Sequence, residues 1–579
     1  MSDRFRVWAP HGDHVDLVVD DDVIAMVGDD GWWECDRERE AGMRYGFSLD
    51  GGPVLPDPRS ESQPDGVHGR SQVVDHTTFA WSDDHWEGFE LSGSILYELH
   101  VGTFTTEGTF DAAIARLPHL VELGVDAVEL MPVAEFPGRR GWGYDGVDLF
   151  APHHGYGGPD GLKRLIDACH ANGLGVLLDV VYNHLGPDGN YLARFGPYFS
   201  DRHQTHWGPG VNFDGPGSPE VRRLVLDNTA MWFTDYHIDG LRLDAVHAIS
   251  DDSPTHILEQ LAVETEQLSA ELGRPLLLIA ESDENDSRYV RDRDQGGMGL
   301  DGVWADEWHH ALHALLAGEQ DGYYEDFGGF EEMATALRQA WVYTGTYSPH
   351  RGRVHGESPE GLSGDRFVVF AQNHDQVGNR AVGERSSALM SEGRLRVAAA
   401  LLLTGPFTPM LFQGEEWGAT TPFLYFTDHE DPDLGRSVSE GRRREFSHFG
   451  WDPEEVPDPQ AEKTFARSKL DWDEAGQQGH HELMAWHRGL IELRKSRPEL
   501  GDPSTESVAV DVDETLGTIV VARGSIRVLC NIGTETASFD AEEGISDVLA
   551  ASFPGAIVES GRIQVPADAV AIVSSRWRS

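Results

Sequence analysis

Four stretches of the chain combine a run of apolar residues with polar side chains at its end. They are Gly175–His184, Asp239–His247, Leu276–Ser282 and Phe367–Asp375. Continuous apolar runs separated by segments of helical length are typical of parallel strands covered on both faces. Polar groups at the carboxyl ends of such strands are typical of a barrel active site. The pattern therefore predicts a barrel of parallel strands with its functional residues gathered at one end.

The stretch around Asp244 indicates that polar side chains share one face of a strand. Residues 241–246 alternate between apolar and polar, so Arg242 and Asp244 point the same way. A buried arginine beside a carboxylate implies that the two groups pair or take part in chemistry. An ion pair that only sets the strand register is the alternative, and the three similar strand ends favour chemistry. We expect one pocket to collect Asp179, His184, Arg242, Asp244, Glu281, His374 and Asp375.

Periodicity and turn residues divide the chain into three predicted domains. Residues 1–88 contain short apolar runs joined by turns, which predicts a small β-sandwich. Residues 89–500 supply strands and helices in alternation, which predicts an α/β fold of the (β/α)8 TIM-barrel type. Residues 185–214 show little periodicity, and the family resemblance given below implies that they form a short insertion that leaves the cleft open. Alternating runs within residues 501–579 predict a C-terminal β-domain.

Three local predictions within the barrel are specific enough to be compared with coordinates. The apolar spacing over residues 110–123 predicts one helix. The seventh strand is expected to end in Asp375. The segment Gln413–Trp417 follows the eighth strand, and we expect it to cap the cleft.

Acidic residues outnumber basic ones by a wide margin. The 579 residues include 99 Asp and Glu against 45 Lys and Arg, which gives a formal net charge of −54. Such a charge disfavours nucleic acids and anionic membranes as partners. It repels itself in dilute buffer and is tolerated where salt shortens the Debye length. We therefore expect a halophilic protein from a high-salt cytoplasm, with an ordinary acidic enzyme as the alternative.

Cysteine usage and the N-terminal sequence indicate a cytoplasmic location. Cys35, Cys169 and Cys530 are odd in number, far apart and without metal-ligand spacing, so we expect free thiols in a reducing compartment. The first residues lack the apolar segment of a signal peptide. The longest apolar run, near residues 397–412, is too short and too interrupted by glycine and proline to span a bilayer.

In order and in residue content, the four stretches resemble the four signature regions of the α-amylase family of glycoside hydrolases. The resemblance implies that Asp244 is the nucleophile, Glu281 the general acid/base and Asp375 a stabiliser of the transition state. It also implies that Tyr144, in the sequence Gly-Tyr-Asp, stacks on the sugar at the cleavage point. The other residues implied to bind substrate are Asp179, His184, Arg242 and His374.

Glycoside cleavage requires two carboxyl groups that have different roles. One acid protonates the leaving oxygen, and one carboxylate meets the sugar carbon of an oxocarbenium-like state. Arg242 beside Asp244 favours the ionised carboxylate, whereas the apolar strand before Glu281 favours the neutral acid. Retention of configuration requires the two carboxyl groups to lie roughly 5–5.5 Å apart.

Further segments resemble the maltooligosyltrehalose trehalohydrolases within that family. They are Leu55–Gly69, Met131–Trp142, Ala280–Asp283 and Leu424–Pro432. This resemblance implies cleavage of the α-1,4 bond next to the terminal trehalose of maltooligosyltrehalose, with release of trehalose. It also implies a maltooligosyltrehalose synthase acting in the same pathway. An Asn-Asp pair of that group is Ala305-Asp306 here, which weakens one contact.

Two alternatives and the question of metals stay open at this point. A debranching or branching enzyme acting on α-1,6 links would share the catalytic trio, and a catalytically inactive glucan-binding scaffold is the second alternative. We predict no cofactor and no metal. His309, His310 and His313 have helical spacing without further ligands, so packing or sugar binding is favoured. Asn183 matches a position that binds calcium in many α-amylases, but the short insertion offers no complete set of oxygen ligands.

Overall fold

The computed structural model describes residues 4–448, 454–540 and 545–575. Along the chain these residues form an N-terminal pair of sheets, a closed barrel of eight parallel strands and a C-terminal pair of sheets. The predicted fold class is therefore confirmed, while the domain boundaries near residues 88 and 500 stay predictions. The three cysteines are buried free thiols. None of the helices in the described ranges combines the length and apolar character that crossing a membrane requires.

The N-terminal region is built from two small antiparallel sheets. Alternating residues such as Val15 and Leu17 turn inward and are fully buried between the sheets, as expected for strands with one covered face. One sheet contains the strands Arg4–Trp8, Trp32–Glu38 and Val27–Asp29. The other contains Asp22–Ala25, Val15–Val19, Arg44–Leu49, Val54–Leu55 and Ser71–Gln72.

Eight parallel strands close the barrel in sequence order. They are β1 (Leu96–Leu99), β2 (Ala127–Leu130), β3 (Gly175–Val180), β4 (Gly240–Leu243), β5 (Leu277–Ala280), β6 (Gly302–Trp304), β7 (Phe367–Phe370) and β8 (Thr408–Phe412). The last strand pairs with the first, because Met410 is aligned with Leu96 and Phe412 with Glu98. All strands therefore end at the same rim of the barrel.

The interior of the barrel changes from apolar to charged toward that rim. Leu96, Ala127 and Leu177 belong to a buried apolar cluster in the lower part of the barrel. Two residues further along each strand, and hence on the same inward face, stand Glu98, Glu129 and Asp179. These three carboxyl groups and the neighbouring Arg242 on β4 are at most 3% exposed. The strands thus carry a charged layer directly beneath the rim.

Helices cover the outside of the barrel and fill most connections between its strands. The connection between β5 and β6 instead contains the short 3-10 turns Ser287–Tyr289 and Arg293–Gln295. The helices are Val101–Phe104, Phe110–Ile114, Leu117–Leu123, Gly158–Ala171, Leu192–Phe195, Ser218–Thr234, Ile257–Leu272, Asp306–Ala317, Phe330–Gln339, His374–Gly378, Ser386–Leu389, Glu392–Thr404, Pro432–His448, Glu462–Arg467, Gln478–Ser496 and Pro498–Gly501.

Two predicted elements differ from the structure for local reasons. The single helix expected over residues 110–123 is divided between Phe110–Ile114 and Leu117–Leu123, because Pro118 has no backbone N–H to continue the first helix. Strand β7 ends at Phe370, and Asp375 lies in the first turn of the helix His374–Gly378. Asn373 begins that helix by accepting a 2.8 Å hydrogen bond from the backbone N–H of Gln376.

The prediction that Gln413–Trp417 caps the cleft is wrong. Gln413, Glu416 and Trp417 are fully buried. Gln413 accepts a hydrogen bond from the backbone N–H of His100, and the Tyr97 hydroxyl donates one to Glu416. These contacts connect β8 to the segment around β1, so the segment closes the barrel wall and leaves the cleft surface to other loops.

Three hairpins and a C-terminal pair of sheets complete the described part of the chain. The hairpins pair Ala134–Glu135 with Asp148–Pro152, Phe199–Thr205 with Gly208–Val211, and Thr346–Ser348 with Arg353–His355. The C-terminal sheets contain Val508–Asp513, Thr518–Arg523, Ile526–Asn531, Ala569–Ser575 and Ile545–Ala551, and Ala537–Asp540, Arg562–Val565 and Val558–Glu559. Arg394 joins this region to the barrel through a 3.0 Å ion pair with Asp568.

Candidate active site

A cleft of about 520 Å³ opens at the carboxyl ends of the barrel strands. Five of the predicted site residues line it: Tyr144, His184, Asp244, Glu281 and Asp375. They come from different strands and loops, and the barrel brings them to one cleft. The other three, Asp179, Arg242 and His374, lie in the charged layer below the cleft surface.

Arg242 holds the centre of that layer. Its guanidinium is fully buried and lies 4.3 Å from the ring centre of Trp304 on β6. One nitrogen, Nη1, donates hydrogen bonds to Asp179 at 2.6 Å and to Asp244 at 2.9 Å. The other, Nη2, lies 3.6 Å from the carboxylate of Glu281. One cation therefore faces three carboxyl groups, and two of them border the cleft.

Asp244 is oriented by a second donor on its other oxygen. The side-chain amide of Asn183 donates 2.8 Å and 2.9 Å hydrogen bonds to Oδ2 and to the backbone carbonyl of Asp244. Asn183 in turn accepts a 2.5 Å hydrogen bond from Nδ1 of His184. Since Arg242 occupies Oδ1, both oxygens of the Asp244 carboxylate accept hydrogen bonds that fix its orientation.

Glu281 sits in a different environment. Its Oε2 accepts a 2.7 Å hydrogen bond from the backbone N–H of Ala245, a residue that adopts a left-handed conformation with φ of 41°. Burial, together with the nearby Asp244 carboxylate, raises the pKa of Glu281 above its ordinary value despite the opposing effect of Arg242. Glu281 is thus suited to hold a proton.

A chain of hydrogen bonds connects the cleft to the charged layer. Nε2 of His374 lies 2.8 Å from the Tyr144 hydroxyl, which donates a 2.5 Å hydrogen bond to Asp179. Burial lowers the pKa of His374, but Asp375 and Glu98 more than offset this and raise it to about 9. His374 is therefore an imidazolium at neutral pH and donates to Tyr144. Burial raises the pKa of Asp179 to about 7, although Arg242 opposes that shift.

Several residues on the cleft were not identified from the sequence. Trp207, at the tip of the hairpin in the short insertion, is half exposed and stacks on His184 with ring centres 4.9 Å apart. Asp283 accepts a 2.9 Å hydrogen bond from Arg351 on a second hairpin. An exposed tryptophan in a turn was the available signal for Trp207, whereas the position of Arg351 depends on how a distant loop folds.

Two groups of residues with metal-ligating atoms, one of them the predicted histidines, make other contacts. The three candidate histidines of Asp306–Ala317 are buried, and His309 contacts the Ala371 carbonyl and the Tyr324 hydroxyl. Glu135, His153 and the half-buried His154 form a second such group. Nδ1 of His153 accepts a hydrogen bond from Gly155, and its Nε2 faces the Gly138 carbonyl. Neither ring nitrogen of His153 is free to bind a metal.

Comparison with known proteins adds to this geometry. Residues 54–207 match the family model described as the alpha amylase catalytic domain. A malto-oligosyltrehalose trehalohydrolase from Rhizobium sp. (strain M-11) is 50% identical over 549 residues, covering 93% of this chain and 92% of the relative. Another from Saccharolobus solfataricus is 44% identical over 494 residues, 85% of each chain.

A solved structure agrees with the sequence comparison. A Salmonella typhimurium protein, provisionally named an alpha amylase, is 39% identical and matches this fold with a TM-score of 0.90. The match covers 99% of this chain and 97% of that chain. Because the similarity to the named relatives extends over most of both chains, this chain belongs to the malto-oligosyltrehalose trehalohydrolases, within the α-amylase family of glycoside hydrolases.

Proposed function

We propose that the enzyme cleaves the α-1,4-glucosidic bond next to the terminal trehalose of maltooligosyltrehalose, with retention of configuration, and releases trehalose. The names of its relatives support this substrate. The observation that carries the chemistry is the pair Asp244 and Glu281 around one buried guanidinium. The pair places a carboxylate that Arg242 contacts beside a carboxyl group whose raised pKa favours its protonated form.

In the proposed first step Asp244 attacks the anomeric carbon of the glucose unit that precedes trehalose. Glu281 donates its proton to the glycosidic oxygen, the bond to trehalose breaks, and a glucosyl ester with Asp244 forms. In the second step water attacks the same carbon after losing a proton to Glu281. This regenerates the acid, frees the Asp244 carboxylate and completes retention by two inversions.

Other residues of the cleft are proposed to bind the glucose unit that is attacked. Tyr144 offers its ring face, and Asp375 offers a carboxylate for ring hydroxyls. His184 lies between Asp244 and the exposed ring of Trp207, within reach of the same sugar. Arg242, Asp179 and His374 are less exposed, and their proposed contribution is to hold the groups above them as well as to reach hydroxyls in a narrow part of the cleft.

Three further properties belong to this proposal. The net charge of −54 supports function in a high-salt cytoplasm, because screening by salt relieves self-repulsion. The buried free thiols fit a reducing compartment. A substrate that ends in trehalose must be supplied by an enzyme that converts the reducing end of a maltooligosaccharide, so we expect a maltooligosyltrehalose synthase in the same pathway.

A product assay tests the proposal. The enzyme is offered maltooligosyltrehalose, a plain maltooligosaccharide and a branched glucan in buffered molar KCl, and free trehalose is measured by chromatography. Trehalose from the first substrate, with little hydrolysis of the others, is expected. Faster release of linear chains from the branched glucan would identify a debranching enzyme instead, and changed branch lengths without net hydrolysis would identify a branching enzyme.

A matched variant tests the catalytic assignment in the same assay. Asp244→Asn keeps the size of the side chain and removes the charge, so we expect trehalose release to become undetectable while the protein stays folded. Substantial turnover by this variant would refute the role of Asp244. Substrate binding by the parent enzyme without hydrolysis of any substrate would favour a glucan-binding scaffold.

A further inference from the structure

Glu98 contacts His374 at two points in the charged layer below the cleft. The Glu98 side chain is 2% exposed and that of His374 is 1% exposed. One carboxylate oxygen lies 2.5 Å from Nδ1 of the ring, and the other accepts a 2.9 Å hydrogen bond from the backbone N–H of His374. This two-point contact fixes both the ring and the start of the helix that carries Asp375. It is made by residues 276 positions apart in the chain.

Other neighbours also restrict the ring of His374. The ring centres of Trp142, which lies perpendicular to it, and of the tilted Trp304 are 5.6 Å and 6.0 Å from its centre. Its far nitrogen, Nε2, lies 2.8 Å from the Tyr144 hydroxyl and 3.5 Å from the Asp375 carboxylate. Each of the two ring nitrogens therefore has an acceptor, and both acceptors are satisfied only if both nitrogens are protonated.

Glu129 provides a contrast on the adjacent strand. It is aligned with Glu98 across the β1–β2 pair and is 1% exposed, yet neither of its carboxyl oxygens has a hydrogen-bond partner among the described residues. Burial and the Glu98 charge raise the pKa of Glu129 well above its ordinary value. Of these two neighbouring buried glutamates, Glu98 contacts His374, whereas burial favours the neutral form of Glu129.

We propose that Glu98 is a positioning residue for the reaction: its carboxylate fixes the ring of His374 and keeps both ring nitrogens protonated, so that Nε2 supports Tyr144 and Asp375 from below. This inference rests on the proposed hydrolysis at this cleft. Charged and titratable groups surround His374 on all sides. Next to it in the chain is Asp375, and the others are Glu98 and His100 at the end of β1, Glu129 on β2, Tyr144, Asp179 on β3 and Arg242 on β4.

The variant Glu98→Gln separates charge from shape. Its amide oxygen still accepts from the backbone N–H of His374, but its NH₂ group faces Nδ1, which then carries no proton. His374 becomes neutral at neutral pH, and Asp375 loses the cation opposite it. We expect kcat/KM to fall about 10- to 100-fold at pH 8, as for loss of a charge-assisted hydrogen bond. Activity should recover in part as the pH falls and His374 is protonated again.

The measurement is the ratio of variant to parent kcat/KM between pH 5.5 and 8.5, since the ratio cancels the titration of Glu281. For Glu98→Gln the ratio should rise as the pH falls, and for Glu98→Asp, which restores the charge, it should stay closer to constant. Glu416→Gln is the matched control, because Glu416 is also a fully buried glutamate that pairs with a histidine. Its partner is His119, at 2.6 Å, and not His374. Its ratio should not vary with pH.

A pH-independent ratio for Glu98→Gln, or one that matches Glu416→Gln, would overturn the proposal and leave Glu98 as a packing residue. Thermal unfolding midpoints of each variant identify a folding defect. If Glu98→Gln does not fold, the imidazole NMR signals of His374 in the parent enzyme at pH 8 decide instead: two ring N–H protons support the proposal, and a single ring N–H overturns it. Failure of the proposed function is recognised separately, because the parent enzyme would then release no trehalose. In that case the affinity for maltotriose is measured by calorimetry at pH 6 and 8. The ratio of the Glu98→Gln affinity to the parent affinity is then expected to change with pH.

Discussion

Asn183 donates its side-chain amide to Oδ2 of Asp244 over 2.8 Å, on the side of the carboxylate opposite Arg242. The two donors hold the Asp244 carboxylate in a single orientation toward the cleft. The residue that matches a calcium-binding position of other α-amylases therefore contacts the proposed nucleophile directly. Its contribution to the reaction is expected to be the alignment of Asp244.

Asn183→Ala should lower kcat about 10- to 100-fold with little change in KM, because one hydrogen bond to a charged oxygen is lost. Steady-state kinetics on trehalose release measure both constants. Asn228→Ala is a suitable control: Asn228 is equally buried and accepts a hydrogen bond from Tyr182, but it does not contact Asp244. Equal losses of kcat in the two variants, after correction for the folded fraction, would argue against a specific role for Asn183.

The raised pKa of Glu281 predicts how activity depends on pH. Burial and the Asp244 charge favour the protonated form, and Arg242 opposes them. Since the first step needs the proton, kcat should be high below this pKa and fall as the pH rises through it. Initial rates across the pH range measure this limb.

Glu281→Gln cannot donate a proton and should lose activity on maltooligosyltrehalose. The same variant should still form the glucosyl ester from an α-maltosyl fluoride, because fluoride leaves without protonation. Asp244→Asn should be inert toward both substrates. Equal loss of both reactions in Glu281→Gln would remove Glu281 from the role of general acid.

Trp207 is expected to affect binding more than chemistry. It is 52% exposed at the hairpin tip and stacks on His184, so its ring offers an apolar face to a sugar. Trp207→Ala should raise KM roughly tenfold and leave kcat within a few-fold, consistent with about 1–2 kcal/mol of lost contact. Trp207→Phe should retain most of the affinity. A fall in kcat at unchanged KM would instead indicate that the ring orients His184.

A network at the opposite end of the barrel predicts a pH-dependent stability. His170 contacts Asp83 at 2.9 Å with Nδ1 and Asp239 at 3.0 Å with Nε2. Burial lowers the pKa of His170, but the two carboxylates more than offset this and raise it above its ordinary value. Its stabilising contribution is therefore complete below the unfolded-state pKa near 6.5 and is lost as the pH rises through the folded-state pKa.

His170→Gln should accordingly destabilise the protein more at pH 6 than at pH 9, as measured by urea unfolding at both values. His487→Gln is the control. Burial lowers the pKa of His487 in the fold, so its replacement should cost no more at pH 6 than at pH 9. A loss for His170→Gln that is the same at pH 6 and 9 would show that the ring is uncharged in the fold.

The excess of acidic residues predicts a dependence on salt. A net charge of −54 destabilises the compact state in dilute buffer, and ~1 M salt reduces the Debye length to about 3 Å. The unfolding midpoint and the activity should therefore rise as KCl is increased toward molar concentration. Sorbitol at equal osmolality is the control for general solute effects. Full activity in dilute buffer, with loss of activity in molar KCl, would contradict the high-salt hypothesis.

Local patterns determined much of what was predicted for the site. Alternation over residues 241–246 put Arg242 and Asp244 on one face, and apolar runs that end in polar residues put Asp179 and Glu281 at the same rim. These features depend only on the two-residue period of a strand and on the common direction of parallel strands. They required no knowledge of which strands are neighbours.

The tertiary structure alone decided which distant side chains meet beneath the cleft and which loops border it. Glu98 contacts His374 because β1 closes the barrel against β8 next to β7, and Glu129 lies beside it through the register of β1 and β2. Trp207 borders the cleft, and Arg351 contacts the cleft residue Asp283, through the conformations of their loops. Such contacts depend on strand order, register and loop packing, which are properties of the whole chain and leave no periodic signal in any local stretch.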